Sequence, residues 1–365
     1  MVNDEEIANK VMNQSFPGQK MTDFKRLPGV RHTVLRIERK DEEPIIARVE
    51  TPEQTLPFIR KTGYFSTSLD IGKEQEILDM LRPVLGERIP TILARGQIEE
   101  GPYLVVTPLK GNVLRDVRAD TSIKNGENVL YSLGELIGIV HKNFSFDHIG
   151  TFSGERTYSP KEWGKYWGWF TSQKLDSNLA ELVFTPNERK EIADYIEKRA
   201  KQKFRFQSTT IIYDLHDANF TVNDDYRVSG LFDFDHTHKG PGQLDIFSIE
   251  ETFFTAPWQG EVDAGKMQDS FNNGYKNVTK RDFEQDPLTR EMGWFNHYLY
   301  ASLSKYAIRH KRPGFTQVTK HRVMQVVREG EVDTKKFFEI RGDKGVIIPE
   351  YQRIVEMYEL PGDKQ

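Results

Sequence analysis

The stretch IIYDLHDANF, residues 211–220, together with SGLFDFDHTH, residues 229–238, decides how this chain is read. In the first, an apolar run ends at Tyr213 and opens into Asp214, His216, Asp217 and Asn219. In the second, Leu231 and Phe232 lead into Asp233, Phe234, Asp235 and two histidines. Short β-type runs that end in acids and amides put polar groups at strand ends, where sites are commonly built. Two such ends, this close in sequence, predict one site.

Its chemistry follows from the residue types. Magnesium takes hard oxygen ligands and completes its shell with water and phosphate oxygens, so one carboxylate and one amide carbonyl suffice from the protein. Asn219 and Asp233 suit that role. A carboxylate that holds no metal can orient a hydroxyl and accept its proton, as phosphoryl transfer requires. Asp214 suits this one. Taken singly, each acid would be an ordinary turn residue; the spacing between flanking β-type runs is what points to a site.

These residues resemble the protein-kinase-like superfamily, whose catalytic loop reads D-L-x-x-x-N and whose metal motif begins D-F. Within it, DLHDAN followed by a later Asp looks most like the aminoglycoside phosphotransferase and choline kinase-type family of small-molecule kinases, the phosphotransferase enzyme family. His216, two positions after the candidate base, is common there. The resemblance runs by element order from about residue 22 to 310 and is specific from 211 to 246. Two departures stand out. Ile212-Tyr213 replaces the His-Gly that often precedes the catalytic Asp, so the loop must be braced by other hydrogen bonds. Asp235 stands where protein kinases have the Gly of D-F-G.

The resemblance implies an α+β fold of two lobes, a small antiparallel sheet and a larger helical lobe, with residues 1–107 binding nucleotide, 108–111 as hinge and 112–365 carrying catalysis and acceptor. Arg48, in PIIARVE, stands where the superfamily has its strand-borne Lys for the α and β phosphates; Glu74 stands where a helix Glu pairs with it, with Glu76 as competitor. The planar fork of arginine also binds phosphate well. VVTPLKG, residues 105–111, looks like the connector whose backbone pairs with adenine. Pro108 has no amide hydrogen, so Leu109 would donate and Thr107 or Leu109 accept. Asp245 matches the acid that supports the catalytic loop. KRLPGVRHTVLRI, residues 25–37, would cover the phosphates through amides near Arg31 to Thr33, although Gly29 is its one glycine. The implied cofactors are ATP or GTP with magnesium.

Composition narrows the rest. A chain of 365 residues, 37% hydrophobic, has enough material for packed cores and more than one simple domain. With 51 Lys and Arg against 55 Asp and Glu, global charge selects no nucleic acid or membrane partner. The absence of cysteine removes disulfides and thiolate metal sites. MVNDEEIANK lacks a basic start with an apolar core, and no 18-residue apolar span occurs, so a cytoplasmic protein is expected. Residues 305–328, with seven Lys or Arg and no acid, read as a solvated face.

Periodicity supplies the elements. TVLRIER (33–39) and PIIARVE (44–50) predict a hairpin around KDEE; a helix follows over 70–81, capped by Asp70 and ended by Pro83; TILARGQI and PYLVVTPL are further strands. Helices are expected over 127–144, 160–174 and 187–203 and after 244, 262, 283 and 349, with loops at 117–126 and 236–243. Trp163, Tyr166, Trp167 and Phe170 form an aromatic stripe that reads first as packing and second as the wall of a substrate pocket. The expected activity is transfer of a γ-phosphoryl group to a hydroxyl of a small molecule. A non-catalytic nucleotide-binding regulator and a protein kinase are the alternatives, the latter disfavoured by the short passage from Asp233 to Asp245.

Overall fold

The computed structural model describes residues 3–28, 32–50, 71–118, 121–152, 157–176, 178–250, 253, 263–283, 286–303 and 313–330. Gly29, Arg31, Asp70, residues 305–312 and the helix expected after 349 lie outside them. The chain opens with a helix that the sequence reading passed over, α1 (Asp4–Ser15), capped by the Asn3 side chain. Its apolar positions Ile7, Ala8, Val11 and Met12 share one face. Strands β1 (Met21–Leu27), β2 (Thr33–Arg39) and β3 (Glu42–Val49), helix α2 (Ile71–Leu85), and strands β4 (Ile92–Ile98) and β5 (Gly101–Val106) follow. The five strands form one antiparallel sheet in the order β1-β2-β3-β5-β4.

Strand alternation decides what this sheet offers. Ile45, Ala47 and Val49 of β3 and Tyr103 and Val105 of β5 bury against α1, closing one core. Arg48 and Leu104, register partners across β3 and β5, therefore point to the other face, where α2 packs. Helix α2 outruns its expected end, because Pro83 sits inside the last turn and Leu85 is buried beyond it. The Arg82 guanidinium secures that end by donating to the Gly86 carbonyl at 2.7 Å and to the Pro90 carbonyl.

The helical region begins with β6 (Asn112–Val113), α3 (Leu114–Val117), α4 (Ile123–Asn143), β7 (Ile149–Gly150), β8 (Thr157–Tyr158), α5 (Trp163–Leu175), α6 (Asn178–Val183) and α7 (Pro186–Ala200). It continues with β9 (Ser208–Ile211), β10 (Phe220–Val222), β11 (Val228–Leu231), β12 (His238–Pro241), α8 (Ile246–Ile249), α9 (Ala264–Thr279), α10 (Pro287–Ser302) and α11 (Pro313–Glu329). Ser122 caps α4 and starts it four residues before the expected boundary. Helices α4 and α9 cross so closely that a Cβ on Gly134 would stand 2.1 Å from the Phe271 carbonyl oxygen, and one on Gly274 1.9 Å from that of Tyr131. Only glycine fits at both places.

Two expectations are corrected here. Residues 238–241 are a buried strand rather than loop, because His238 to Pro241 pair antiparallel with Ile211 to Ser208. Trp163, Tyr166, Trp167 and Phe170 are all core, as the first reading of the stripe expected, with the Trp167 indole N–H donating to the Met292 carbonyl at 3.3 Å. The described part of the basic stretch is a solvated face only at His321 and Arg328. Arg322 is 1% exposed, and Lys320 and Arg328 meet Glu188 and Glu191 of α7 at 2.9 and 2.8 Å.

Candidate functional site

The hairpin of β10 and β11 explains why two distant strand ends become one place. Phe220 pairs with Leu231, so Asn219 and Phe232, one residue outward on each strand, meet across the ladder. The Phe232 N–H donates to the Asn219 carbonyl at 3.0 Å, which sets Asp233 beside Asn219. The Asn219 side chain is buried, and its amide nitrogen donates to the Asp214 carbonyl at 2.9 Å. Its oxygen is then the atom left for a cation. Asn219 thereby ties the two strand ends together, through its side chain to the Asp214 carbonyl and through its own carbonyl to the residue before Asp233.

Two residues in this loop hold left-handed backbone: Tyr213 at φ 69° and Asp233 at φ 66°. For a side-chain-bearing residue that conformation costs roughly 1–2 kcal/mol. The Gly common at the place of Tyr213 would avoid it. Here the Asp245 carboxylate, 0% exposed, accepts the Tyr213 N–H at 2.6 Å, a charge-assisted bond of about 1.5–3 kcal/mol that offsets the strain. The second Asp245 oxygen meets His141 Nε2 at 3.1 Å, and His141 Nδ1 meets the Tyr275 hydroxyl at 3.2 Å. The acid expected to support the loop thus holds it at Tyr213, with His141 of α4 and Tyr275 of α9 behind it.

A second brace was not foreseen. The Asp217 carboxylate accepts from Arg115 at 3.1 Å and from Arg118 at 2.9 Å, and its carbonyl accepts the Arg115 N–H at 2.9 Å. Burial alone would raise the Asp217 carboxyl, but His216, Arg118 and Arg115 together hold it far below the usual carboxylate range. His216 Nδ1 accepts the Ala218 N–H at 3.2 Å, turning Nε2 toward the Asp214 carboxylate at 3.7 Å. Burial opposes the imidazolium, yet Asp217 and Asp214 outweigh it and the His216 pKa is raised.

From the sheet, Arg48 reaches the same place. One arm pairs with Glu74 of α2; the other faces His32 Nδ1 at 3.3 Å, Asp233 at 3.4 Å and Asp235 at 3.6 Å. Burial works against the Arg48 charge, but Glu74, Asp235 and Asp233 more than compensate and its pKa is raised. Burial pushes the Glu74 carboxyl up against the pull of Arg48. Glu76 is exposed and takes no part. His32 and Thr33 are buried, so the amides expected there to be exposed are not. The signal for His32 and Asp235 was present only as proximity to the motifs.

In the connector, the Thr107 N–H donates to the Thr91 carbonyl at 2.9 Å, and its hydroxyl accepts the Thr91 N–H at 2.9 Å. Thr107 thus keeps its carbonyl, not its N–H, for a ligand. Leu109 lies against Gly230 of β11. Among the described residues no three His, Asp or Glu side chains gather as a metal cage, and no helix is long and apolar enough to cross a membrane.

Residues 25–279 match the family model described as "Phosphotransferase enzyme family". No curated protein sequence gave a match. Among solved structures, the chain is similar to a thermostable mutant of aminoglycoside phosphotransferase APH(4)-Ia in ternary complex with AMP-PNP and hygromycin B: 12% identity, TM-score 0.57, 89% of this chain and 99% of that one. It is also similar to macrolide 2'-phosphotransferase type I, at 12% identity, TM-score 0.54 and coverage of 88% and 98%. Amicoumacin kinase hAmiN, in complex with AMP-PNP, Ca²⁺ and Ami, gives 13% identity, TM-score 0.53 and coverage of 98% and 94%. At such identities the likeness concerns the fold.

Proposed function

Because the chain belongs to the phosphotransferase enzyme family, we propose that it is a small-molecule kinase that transfers the γ-phosphoryl group of ATP or GTP to a hydroxyl of its acceptor. Residues 1–107 would bind nucleotide, 108–111 form the hinge, and 112–365 carry catalysis and the acceptor. The cytoplasm, which supplies the nucleotide, is the proposed compartment. The observation that carries the reading is the convergence of Arg48, Glu74 and Asp233 beside the Asp214–Asn219 loop.

In this reading Arg48, held by Glu74, binds the phosphates; the Leu109 N–H and Thr107 carbonyl receive adenine. The half-exposed Asp233 carboxylate and the Asn219 amide oxygen are hard donors that fit magnesium. When bound, that ion supplies neutralisation of phosphate charge. Asp214 accepts a hydrogen bond from the acceptor hydroxyl and takes its proton as the new O–P bond forms and the bond to the β-phosphate oxygen breaks, releasing the nucleoside diphosphate. His216 keeps Asp214 oriented. The passage from Asp233 to Asp245 is taken up by β12, paired with β9, which favours a small acceptor over a peptide.

The test is ATP-dependent phosphorylation across a panel of aminoglycosides, macrolides, amino alcohols and sugars, read by mass. Asp214→Asn is expected to keep nucleotide binding while lowering turnover by roughly 10² to 10⁴. Wild-type turnover in that variant would remove Asp214 as base, and phosphorylation of proteins alone would remove the small acceptor.

A further inference from the structure

Resting on the reading just given, we infer that Asp235 and His32 are positioning residues that fit this site to an arginine, rather than a lysine, at position 48. An ammonium carries three rotatable hydrogens and, once anchored to a carboxylate, can turn the others toward phosphate. A guanidinium is a rigid planar fork. Its second arm needs acceptors in a fixed direction.

Arg48 shows both halves of that requirement. Nη1 is anchored by Glu74, and Nη2 points into a fan of His32 Nδ1 at 3.3 Å, Asp233 Oδ1 at 3.4 Å and Asp235 Oδ1 at 3.6 Å. His32 Nδ1 and Asp235 Oδ2 stand 3.9 Å apart, too far for a hydrogen bond, so both address the guanidinium more closely than each other. All the Nη2 contacts are longer than the usual ~2.9 Å. A phosphate oxygen can take those hydrogens without disturbing the Glu74 anchor. Asp235 also occupies the position where the D-F-G resemblance has Gly, which offers no side chain to a second arm. The two departures from the lysine pattern, Arg48 and Asp235, are thus matched to each other.

A carboxylate beside a phosphate site otherwise works against nucleotide, which gives the test opposite signs. Dissociation constants for AMP-PNP with Mg²⁺, and for adenosine, are measured by calorimetry on the wild type, Asp235→Gly, Arg48→Lys and the double variant. As positioning, Asp235→Gly and Arg48→Lys each weaken AMP-PNP by about tenfold, and the double variant lies nearer the wild type than either single. Adenosine, which lacks phosphate, binds alike in all four. His32→Ala supplies an independent variant and should weaken AMP-PNP but lose most of that effect beside Arg48→Lys. Additive losses, or tighter AMP-PNP binding by Asp235→Gly in both backgrounds, overturn the inference; so does a parallel loss of adenosine. Wild-type protein that does not prefer AMP-PNP over adenosine overturns the kinase reading itself, and does so before any substitution is made.

Discussion

On the helical side of the site, Asp214 is held through backbone: Tyr213 by buried Asp245, Asn219 by the Phe232 N–H, and the Asp217 carbonyl by the Arg115 N–H. On the sheet side, Arg48 is held through side chains alone, short on one arm and long on the other. The difference fits the roles proposed for each side. A base must sit within hydrogen-bond reach of a proton in a defined geometry, so the chain invests left-handed backbone and a buried relay in fixing it. A phosphate clamp must exchange partners when nucleotide enters, and loosely satisfied charges permit that.

The largest effect is expected where the backbone brace is removed. Asp245→Ala leaves the Tyr213 N–H and His141 without their carboxylate in a buried place and should cost about 3–5 kcal/mol of stability, read as unfolding in urea. If unfolding is unchanged but turnover falls, the brace serves geometry and not stability, and the contrast between the two sides sharpens. If both are unchanged, the left-handed turn at Tyr213 holds itself and the contrast fails.

How much of this was legible depends on range. Arg48 and Glu74 could be placed through the resemblance, which puts a phosphate-binding cation on this strand and its acidic partner on the next helix, while the choice of Glu74 over Glu76 needed the structure, where Glu74 is buried and Glu76 exposed. Asp214, Asn219 and Asp233 were legible as a motif. Arg115 and Arg118 were not, since they lie 102 and 99 positions from Asp217 and no local pattern reports such a contact. Strand β12 was hidden because its HKGP sequence has turn composition, and its pairing with β9 overrides that preference. Helix α1 carried a readable apolar stripe at Ile7, Ala8, Val11 and Met12.

Arg48→Ala tests the opposite side. Losing a phosphate contact present in both ground and transition states should raise the ATP KM and lower kcat, together about thirtyfold in kcat/KM, or roughly 2 kcal/mol. Unfolding should change less than in Asp245→Ala. Glu74→Gln should move the same parameters in the same direction by only a few-fold, because an amide oxygen still accepts from Nη1. Equal losses in both variants would mean that the anchor, and not the charge on Arg48, does the binding.

The smallest effect concerns pH and separates the two braces of the helical side. The Asp217 carboxyl is held below its unfolded value by His216, Arg118 and Arg115 against the upward push of burial, so its contribution is complete above about pH 5 and is lost as the pH falls further toward the folded pKa. Asp217→Asn should therefore lower stability at pH 7 by about 1–3 kcal/mol and flatten the decline of Tm between pH 5 and pH 3 relative to the wild type. Arg115 is more than half exposed and Arg118 is not, so Arg118→Ala should reproduce most of the pH 7 loss and Arg115→Ala little of it. A wild-type acid decline that survives in Asp217→Asn would assign it to other carboxylates and leave Asp217 a geometric support, acting on the loop through its carbonyl alone.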